Sequence, residues 1–162
     1  MTNQELIEAI QTKFGSSVLN NTETYGMPEI TIDPEKIRDL AFFLKDSLGF
    51  IFLTDLCGIH YPNDEKALGV IYHFHDFEKN IRLKVKAFIS ASDPEIASVT
   101  PVYLGANWME RETYDFYGIL FKDHPNLVRI LNVDYLDYFP LRKEYSLEDP
   151  TREDKDDRYF GR

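Results

Sequence analysis

The 162-residue sequence contains a single cysteine, Cys57, and no apolar run long enough to cross a membrane. One cysteine excludes a disulfide framework within the chain and argues against a structural zinc site or a cysteine-ligated iron–sulfur cluster. Because Cys57 follows an apolar run, we expect a free, buried thiol in a reducing compartment. The N-terminal segment, with two acids and no arginine, resembles neither a signal peptide nor an Arg-rich transit peptide.

Basic residues are also scarce, since 18 Lys and Arg stand against 28 Asp and Glu, for a formal charge of −10. This balance argues against nucleic acid as a partner and against binding of anionic lipid through the whole surface. The eight glycines are scattered singly, without a Gly-rich phosphate loop, and there is no Gly-x-Ser-x-Gly motif. We therefore predict that this chain has no catalytic site, no cofactor and no metal.

The length of the chain and its hydrophobic content of 43% predict one folded domain. Apolar residues at helical spacing, with Asp-Pro and glycine boundaries, predict helices near the N-terminus and over 34–48. Apolar runs predict strands at 17–25, 27–32, 50–56, 69–77 and 80–89, with 50–56 as a central strand. The order predicts a two-layer α+β fold, in which helices cover one face of a mixed or antiparallel sheet.

The last two strands form the clearest predicted hairpin. A two-residue turn would place His73 and His75 beside Lys86 and Lys84 on the outer face of the sheet. Two imidazoles two residues apart are a possible pair of metal ligands. The lysines would repel a cation, and two ligands fall short of a tetrahedral set, so we favour a solvent-facing strand.

Further along, a helical turn is predicted at 93–95 and a longer helix over 100–117, ended by Gly118. His124-Pro125 then predicts a turn, after which sustained periodicity is lost. We expect residues 1–120 to form the α+β domain and 121–162 to form an extended tail of that domain.

Glu112 is the strongest candidate for chemistry on the longer helix. At about 100° per residue, Trp108 and Glu112 fall on one apolar side, while Arg111 and Asp115 fall on the other. A carboxylate among apolar residues must be paired, because burying it alone is costly. One interpretation is a general acid or base; the other is a carboxylate that fixes a loop through an arginine such as Arg129. We favour the structural interpretation, because no nucleophile or second carboxylate is placed to cooperate.

The tail is rich in aromatic residues and contains a basic run, Pro140-Leu141-Arg142-Lys143, within an acidic protein. Aromatic and arginine side chains are typical anchors of protein interfaces. The acid-rich stretch 148–158 is typical of a solvated or partner-paired end. We therefore predict that the tail lies on another subunit, because it offers no regular element that would fold its aromatic residues inward.

A specific motif spans residues 106–143. Its members are Trp108, Glu110-Arg111-Glu112, Asp115, Gly118, His124-Pro125, Arg129 and Pro140-Leu141-Arg142-Lys143. This combination, in this order, resembles the family of the C subunit of bacterial NADH–quinone oxidoreductase, whose mitochondrial relative is the 30 kDa subunit of respiratory complex I. The resemblance implies that these residues form a family motif and a partner interface.

The same resemblance implies a structural subunit of the peripheral arm, on the cytoplasmic side of a bacterial inner membrane. Electrons would pass from NADH to quinone, coupled to proton translocation, through FMN and iron–sulfur clusters held by other subunits. The implied partners are subunits D, B and I, and the membrane is reached only through the complex.

Two other functions stay open at this point. The motif would also permit the equivalent subunit of a membrane-bound hydrogenase or a ferredoxin-dependent complex. A function of another class is a free-standing, small-molecule-binding α+β enzyme with Glu112 or His124 as its catalyst.

Overall fold

A computed structural model describes residues 1–145, and this part of the chain contains three α-helices and seven β-strands. The helices are α1 (Asn3–Phe14), α2 (Ile37–Leu48) and α3 (Ala106–Tyr117). The strands are β1 (Val18–Thr24), β2 (Met27–Ile32), β3 (Phe52–His60), β4 (Leu68–Asp76), β5 (Ile81–Ile89), β6 (Glu95–Ala97) and β7 (Leu120–Lys122). This confirms the predicted α+β class and the element order up to β5. The acid-rich stretch 148–158 lies outside the described residues.

Local signals in the sequence explain where the first two helices begin and end. The Thr2 hydroxyl accepts a hydrogen bond from the Glu5 amide, and the Glu5 carboxylate accepts one from the Thr2 amide, which is a complete capping box. The Asp33 carboxylate caps the turn before α2 by accepting from the Glu35 amide. Gly49, with a φ of 87°, ends α2 as predicted.

A five-stranded mixed sheet, in the order β1-β2-β5-β4-β3, forms the centre of the molecule. β2 and β5 run parallel, and the other neighbouring strands are antiparallel. One face of this sheet, here called the inner face, packs against the helices. Its fully buried side chains from the hairpin and α2 are Val70, Tyr72, Phe74, Leu83, Val85, Ala87, Ile37, Leu40, Ala41 and Leu44. The four α2 residues, Ile37, Leu40, Ala41 and Leu44, recur at the helical spacing that predicted this helix.

The hairpin register differs from the prediction by two residues. The Asp76 carboxylate accepts from the amides of Glu78 and Lys79, at 3.0 and 3.2 Å, which stabilises a four-residue turn in place of the predicted two-residue turn. His73 therefore lies opposite Lys84, and His75 lies opposite Arg82. Because a shift of two residues keeps every side chain on its face, the predicted faces are correct. The prediction that both imidazoles face solvent is wrong for His75, which is only 7% exposed.

The sheet position of β3 also differs from the prediction, because β3 is an edge strand and not a central one. Helix α3 packs against this strand. A Cβ atom on Gly58 would lie 2.5 Å from the Tyr117 ring, so the absence of a side chain lets α3 approach the strand. Cys57, its neighbour, is half-buried rather than buried, and burial raises the pKa of its thiol.

The segment between β5 and α3 is mostly not helical, contrary to the prediction. Residues 95–97 form β6, which pairs in parallel with β7, and α3 begins only at Ala106. Two long side chains from α2 hold this segment: Arg38 donates to the Ser98 carbonyl at 2.7 Å, and Lys45 donates to the Val102 carbonyl at 2.6 Å. These tertiary bonds override the local signals that predicted a helical turn at 93–95 and a helix from residue 100. No helix among residues 1–145 is long and apolar enough to span a membrane.

Replacing Gly58 by Ala should destabilise the fold, because the new methyl group would overlap the Tyr117 ring. Overpacking of this kind typically costs about 1–3 kcal/mol. Gly105→Ala is the matched control, because a Cβ atom there meets no atom within 4 Å. Urea unfolding should show a lower stability for Gly58→Ala only, and equal stabilities for the two variants would contradict this packing.

Candidate functional site

Helix α3 buries a different face from the one predicted. Glu110 and Asp115 are fully buried, whereas Glu112 is exposed and Trp108 is 61% exposed. The expectation that Glu112 and Trp108 face inward is therefore wrong. The inward face was hidden because it contains two carboxylates, whose partners the sequence does not reveal. Asp115 is fully hydrogen-bonded, whereas Glu110 is bonded through Oε1 and its Oε2 atom has no partner in the described part of the chain.

Asp115 is the centre of the site. Its Oδ2 atom accepts from the backbone amides of Ile130, Leu131 and Asn132, at 3.1, 2.8 and 2.9 Å. Its Oδ1 atom accepts from the Asn132 side-chain amide at 3.1 Å and from Nη1 of Arg129 at 2.8 Å. Burial by itself would raise the pKa of this carboxyl, but the surrounding donors outweigh it and hold the pKa well below its usual range.

Arg129 connects this carboxylate to the chain that follows it. Nη1 also donates to the Asp115 carbonyl at 3.0 Å, and Nη2 donates to the carbonyls of Leu136 and Tyr138, at 2.8 and 3.3 Å. The guanidinium carbon lies 5.2 Å from the centre of the Phe139 ring. The expected pairing of Arg129 with Glu112 is wrong. Arg129 pairs instead with Asp115, because Asp115 is the carboxylate that this helix buries beside it.

The C-terminus of α3 is closed by the segment that returns to it. Gly118, with a φ of 71°, ends the helix as predicted, and a Cβ atom there would overlap the Phe139 ring. The Leu141 amide donates to the Phe116 carbonyl at 3.2 Å, and Nε of Arg142 donates to the Tyr117 carbonyl at 2.7 Å. Carbonyl groups that a helix end leaves without partners are therefore satisfied by the Pro140–Lys143 run.

Two further motif residues bind the chain along the outer side of α3. Arg111 donates to the carbonyls of Val128 and Arg129, both at 3.1 Å. The Asn126 amide donates to Nδ1 of His124 at 3.0 Å, which leaves Nε2 of His124 as the donor to the Asn107 carbonyl at 3.1 Å. Burial lowers the pKa of His124, in agreement with this neutral tautomer. His124 thus fixes the turn that was predicted at His124-Pro125, and Pro125 itself is exposed.

The last described residues reach the end of the sheet. The Lys143 amide donates to Nδ1 of His60, on β3, at 2.9 Å, while the Lys143 side chain is exposed. Pro140 is half-buried, and Leu141 is 36% exposed. Residues 139–143 of the predicted tail therefore pack on α3 and β3 of their own chain, and the prediction that the tail lies on another subunit stays a prediction.

Glu110 stands apart from this network, on the side of α3 that faces β6. Its Oε1 atom accepts from the Val99 amide at 2.7 Å. Burial raises the pKa of Glu110 to about 7, although the Ser98 hydroxyl, the Val99 amide and the charge of Arg38 act in the opposite direction. The helical spacing of Glu110 with the small residues Ala106 and Thr113 was the signal in the sequence that could have identified this buried face.

Two residues of the network were missed by sequence reasoning. Asn132 supplies two donors to Asp115, and Arg38 binds the carbonyls of Ser98 and Lys122 and the Asp123 carboxylate. Neither stands in a recognisable pattern, because each acts across a long sequence separation. Within residues 1–145, no group of three His, Cys, Asp or Glu side chains is placed to bind a metal ion.

The site leaves an apolar surface exposed, here called the Trp108 surface. Its members are Leu104, Trp108, Val128 and Leu131, which are 88, 61, 44 and 65% exposed. The Arg111 guanidinium joins two of them, because it lies 5.0 Å from the centre of the Trp108 ring and donates to the Val128 carbonyl. Exposed tryptophan, arginine and leucine side chains on one part of a surface are characteristic of protein interfaces.

Known proteins similar to this chain fall in one family. The family model described as "Respiratory-chain NADH dehydrogenase, 30 Kd subunit" matches residues 30–151. The C subunit of the NADH-quinone oxidoreductase of Citrifermentans bemidjiense is 38% identical over 151 residues, which cover 93% of this chain and 94% of the relative. The protein of the same name from Geobacter sulfurreducens is 37% identical over 152 residues, with coverages of 93% and 94%.

Solved structures of other proteins share this fold. A trypsin-resistant fragment of Nqo5 matches with a TM-score of 0.69 and 25% identity, over 78% of this chain and 100% of the fragment. A chain of the membrane-bound sulfane sulfur reductase, an archaeal respiratory membrane complex, matches with a TM-score of 0.75, over 89% of this chain and 85% of that one. At 21% identity the second likeness shows the fold alone.

Asp115→Asn should strongly destabilise the protein, because an amide cannot accept all five hydrogen bonds and leaves Arg129 without its counter-charge. Removing one partner of a buried pair typically costs about 3–5 kcal/mol. Asp123→Asn is the control, because Asp123 also pairs with an arginine but its side chain is 73% exposed. Denaturant unfolding measures both variants, and a loss of stability no larger for Asp115→Asn than for Asp123→Asn would contradict the central role of Asp115.

The contribution of Asp115 to the stability of the fold should also be lost at low pH. The folded pKa lies below the ordinary value of 3.8, so the stabilisation is complete above that value and is lost as the pH falls through the folded pKa. Denaturant unfolding should show a constant difference between wild type and Asp115→Asn from about pH 8 to 5. This difference in free energy of unfolding should shrink below about pH 4. A difference that grows there would contradict a lowered pKa of Asp115 in the folded protein.

Glu110→Gln should remove a pH dependence of the opposite sign. The folded pKa of Glu110, about 7, lies above its ordinary value of 4.5, so the folded state binds more protons and the wild type loses stability as the pH rises between these values. The glutamine side chain would keep the bond to the Val99 amide without a charge. In denaturant unfolding, the variant should therefore be at least as stable as the wild type at about pH 8, and its free energy of unfolding should change less between about pH 5 and 7. If the free energy of unfolding changes with pH equally in both proteins, Glu110 is not the source of this pH dependence.

Proposed function

The chain belongs to the family of the 30 kDa subunit of respiratory-chain NADH dehydrogenase, and we propose that its role in that enzyme is structural and not catalytic. It is a subunit of NADH–quinone oxidoreductase, complex I, and acts in electron transfer from NADH to quinone. The curated relatives favour this function over a hydrogenase-type complex, which the motif alone would also permit. They equally disfavour a free-standing enzyme.

One observation supports the structural role: the charged motif residues bind the chain itself. The Asp115 carboxylate is saturated by donors and has a lowered pKa, so it is a poor base. Both ring nitrogens of His124 are in hydrogen bonds within the chain. Glu112, the other candidate catalyst, lies on the exposed side of α3. These side chains hold residues 121–145 in one shape and are not directed at a common reacting atom.

The partner-binding role of the motif follows from the side chains that the folded segment leaves exposed. Fixing an irregular segment before binding lowers the entropy lost on association, which favours affinity. The Trp108 surface is fixed in this way by Arg111 and by the Asp115 network. We infer that this surface and the tail from 121 to 162 bind subunits D, B and I of the peripheral arm, on the cytoplasmic side of the membrane. In this arrangement FMN and the iron–sulfur clusters are held by other subunits.

The double variant Trp108→Ser/Leu131→Ser tests this role in the native host. Because both side chains are exposed, the isolated protein should unfold within about 1 kcal/mol of the wild type. The amount of assembled enzyme in membranes should fall at least tenfold on native gels stained for NADH dehydrogenase activity. Turnover per assembled enzyme, normalised to bound FMN, should not change.

The matched control is Leu19→Ser/Tyr25→Asn, which removes an exposed aliphatic and an exposed aromatic side chain from the β1–β2 hairpin. It should leave the amount of complex normal. Normal assembly of the Trp108 surface variant would exclude this surface as the interface. A loss of turnover at normal assembly would contradict the structural role.

A further inference from the structure

The face of the five-stranded sheet opposite the helices has an unusual charge for this protein. β5 places Arg82, Lys84 and Lys86 on this outer face, in a row in which neighbours are about 7 Å apart. The carboxylates on the same face are Glu29 of β2 and Asp55 of β3. Three cations therefore face two carboxylates here, although the chain as a whole has ten more acids than bases.

The carboxylates of this face leave part of the cation row uncompensated. Glu29 forms ion pairs with both lysines, at 2.9 Å to Lys84 and 2.5 Å to Lys86, so two positive charges share one negative charge. Asp55 lies 3.7 Å from the His73 ring. Arg82 is exposed and forms no ion pair with any residue in the described part of the chain. The row therefore keeps a net positive charge, with Arg82 as its exposed end, while the side chains of Lys84 and Lys86 are 20 and 22% exposed.

An exposed aromatic cluster adjoins this row. The rings of Phe52 and Phe77, which are 46 and 54% exposed, lie 5.1 Å apart. Phe77 also covers the His75 ring at 4.4 Å, which explains why His75 is buried. Since His75 lies opposite Arg82 in the hairpin, the cluster and the first cation of the row are neighbours. Two phenylalanines exposed in contact with each other are typical of a binding site and not of a solvated strand.

We propose that the Phe52–Phe77 cluster and the Arg82–Lys84–Lys86 row form a second docking surface, which binds an acidic segment of another subunit of the complex. The inference rests on the proposed structural role. The occupant places an apolar side chain on the two phenylalanines. It then directs carboxylates at the cation row, with the spacing of alternate residues in an extended chain. Phe52 and Leu104 line one cleft, so this surface adjoins the Trp108 surface and extends the proposed interface onto the outer face of the sheet.

A photo-crosslinking amino acid at Phe77, in the full chain within the assembled complex, identifies the occupant directly. Mass spectrometry should find a cross-link to a segment of another subunit in which at least two acidic residues lie close together in sequence. A cross-link to residues 146–162 of this chain, a cross-link to a segment without acids, or no cross-link to another subunit would each overturn the proposal.

Arg82→Glu in the cross-linking protein tests the role of charge, and Lys66→Glu, another exposed cation, is its control. Arg82→Glu should lower the cross-link yield at least tenfold, whereas Lys66→Glu should leave it unchanged. A Lys substitution of one acid in the cross-linked segment should restore the yield with Arg82→Glu. Equal yields for the two charge variants, or no restoration, would contradict a charge-directed site.

The same photo-crosslinker at Trp108 separates this inference from the structural role proposed above. Cross-links from Trp108 with none from Phe77 would leave that role intact and overturn the second surface. Cross-links from Phe77 with none from Trp108 would support the second surface and count against the Trp108 surface as an interface.

Discussion

The bond between the Asp115 carboxylate and the backbone amides of residues 130–132, completed by Arg129, determines the shape of the C-terminal part of the described chain. Apart from β7, residues 121–145 form no helix or strand, so their backbone groups must find partners other than regular ladders. Asp115 satisfies three amides, and Arg111, Arg129 and Arg142 satisfy carbonyls. Side-chain bonds take the place that secondary structure has elsewhere in the molecule, and this makes the segment depend on a few charged residues.

Glu110 and Asp115 show how the number of donors decides what burial does to a carboxyl group. They lie five positions apart on one helix, and both are fully buried. Burial penalises the charged form of each. Asp115 receives five hydrogen bonds, one of them from a guanidinium, and its pKa falls; Glu110 has one backbone donor at Oε1, and its pKa rises. A charged motif in a sequence therefore does not by itself indicate catalytic groups, because the same chemical group can be a saturated structural ion or a carboxyl that titrates near neutrality.

The sequence predicted the parts of the fold that depend on local signals. Capping residues, glycine stops and apolar periodicity located α1, α2 and the first five strands, because each of these signals acts within a few residues. It did not predict β6, β7 or the late start of α3, since long-range bonds from Arg38 and Lys45 determine that segment. It also chose the wrong face of α3, because Trp108 is exposed and two carboxylates are buried. The motif grouped together residues that the structure brings around α3, but only the three-dimensional contacts showed which of them bind each other.

Charged side chains that are fully hydrogen-bonded within the chain suit a subunit that must hold a fixed shape and still bind its neighbours. Apolar packing alone would have to bury Trp108 and Leu131, and would then leave nothing for a neighbour to bind. Charge-assisted bonds to the backbone fix the segment and leave those side chains exposed. The same logic applies on the outer face of the sheet, where Glu29 holds two lysines in place without cancelling their charge. In both places buried or half-buried ions determine geometry, and the groups left exposed beside them are those that a partner can recognise.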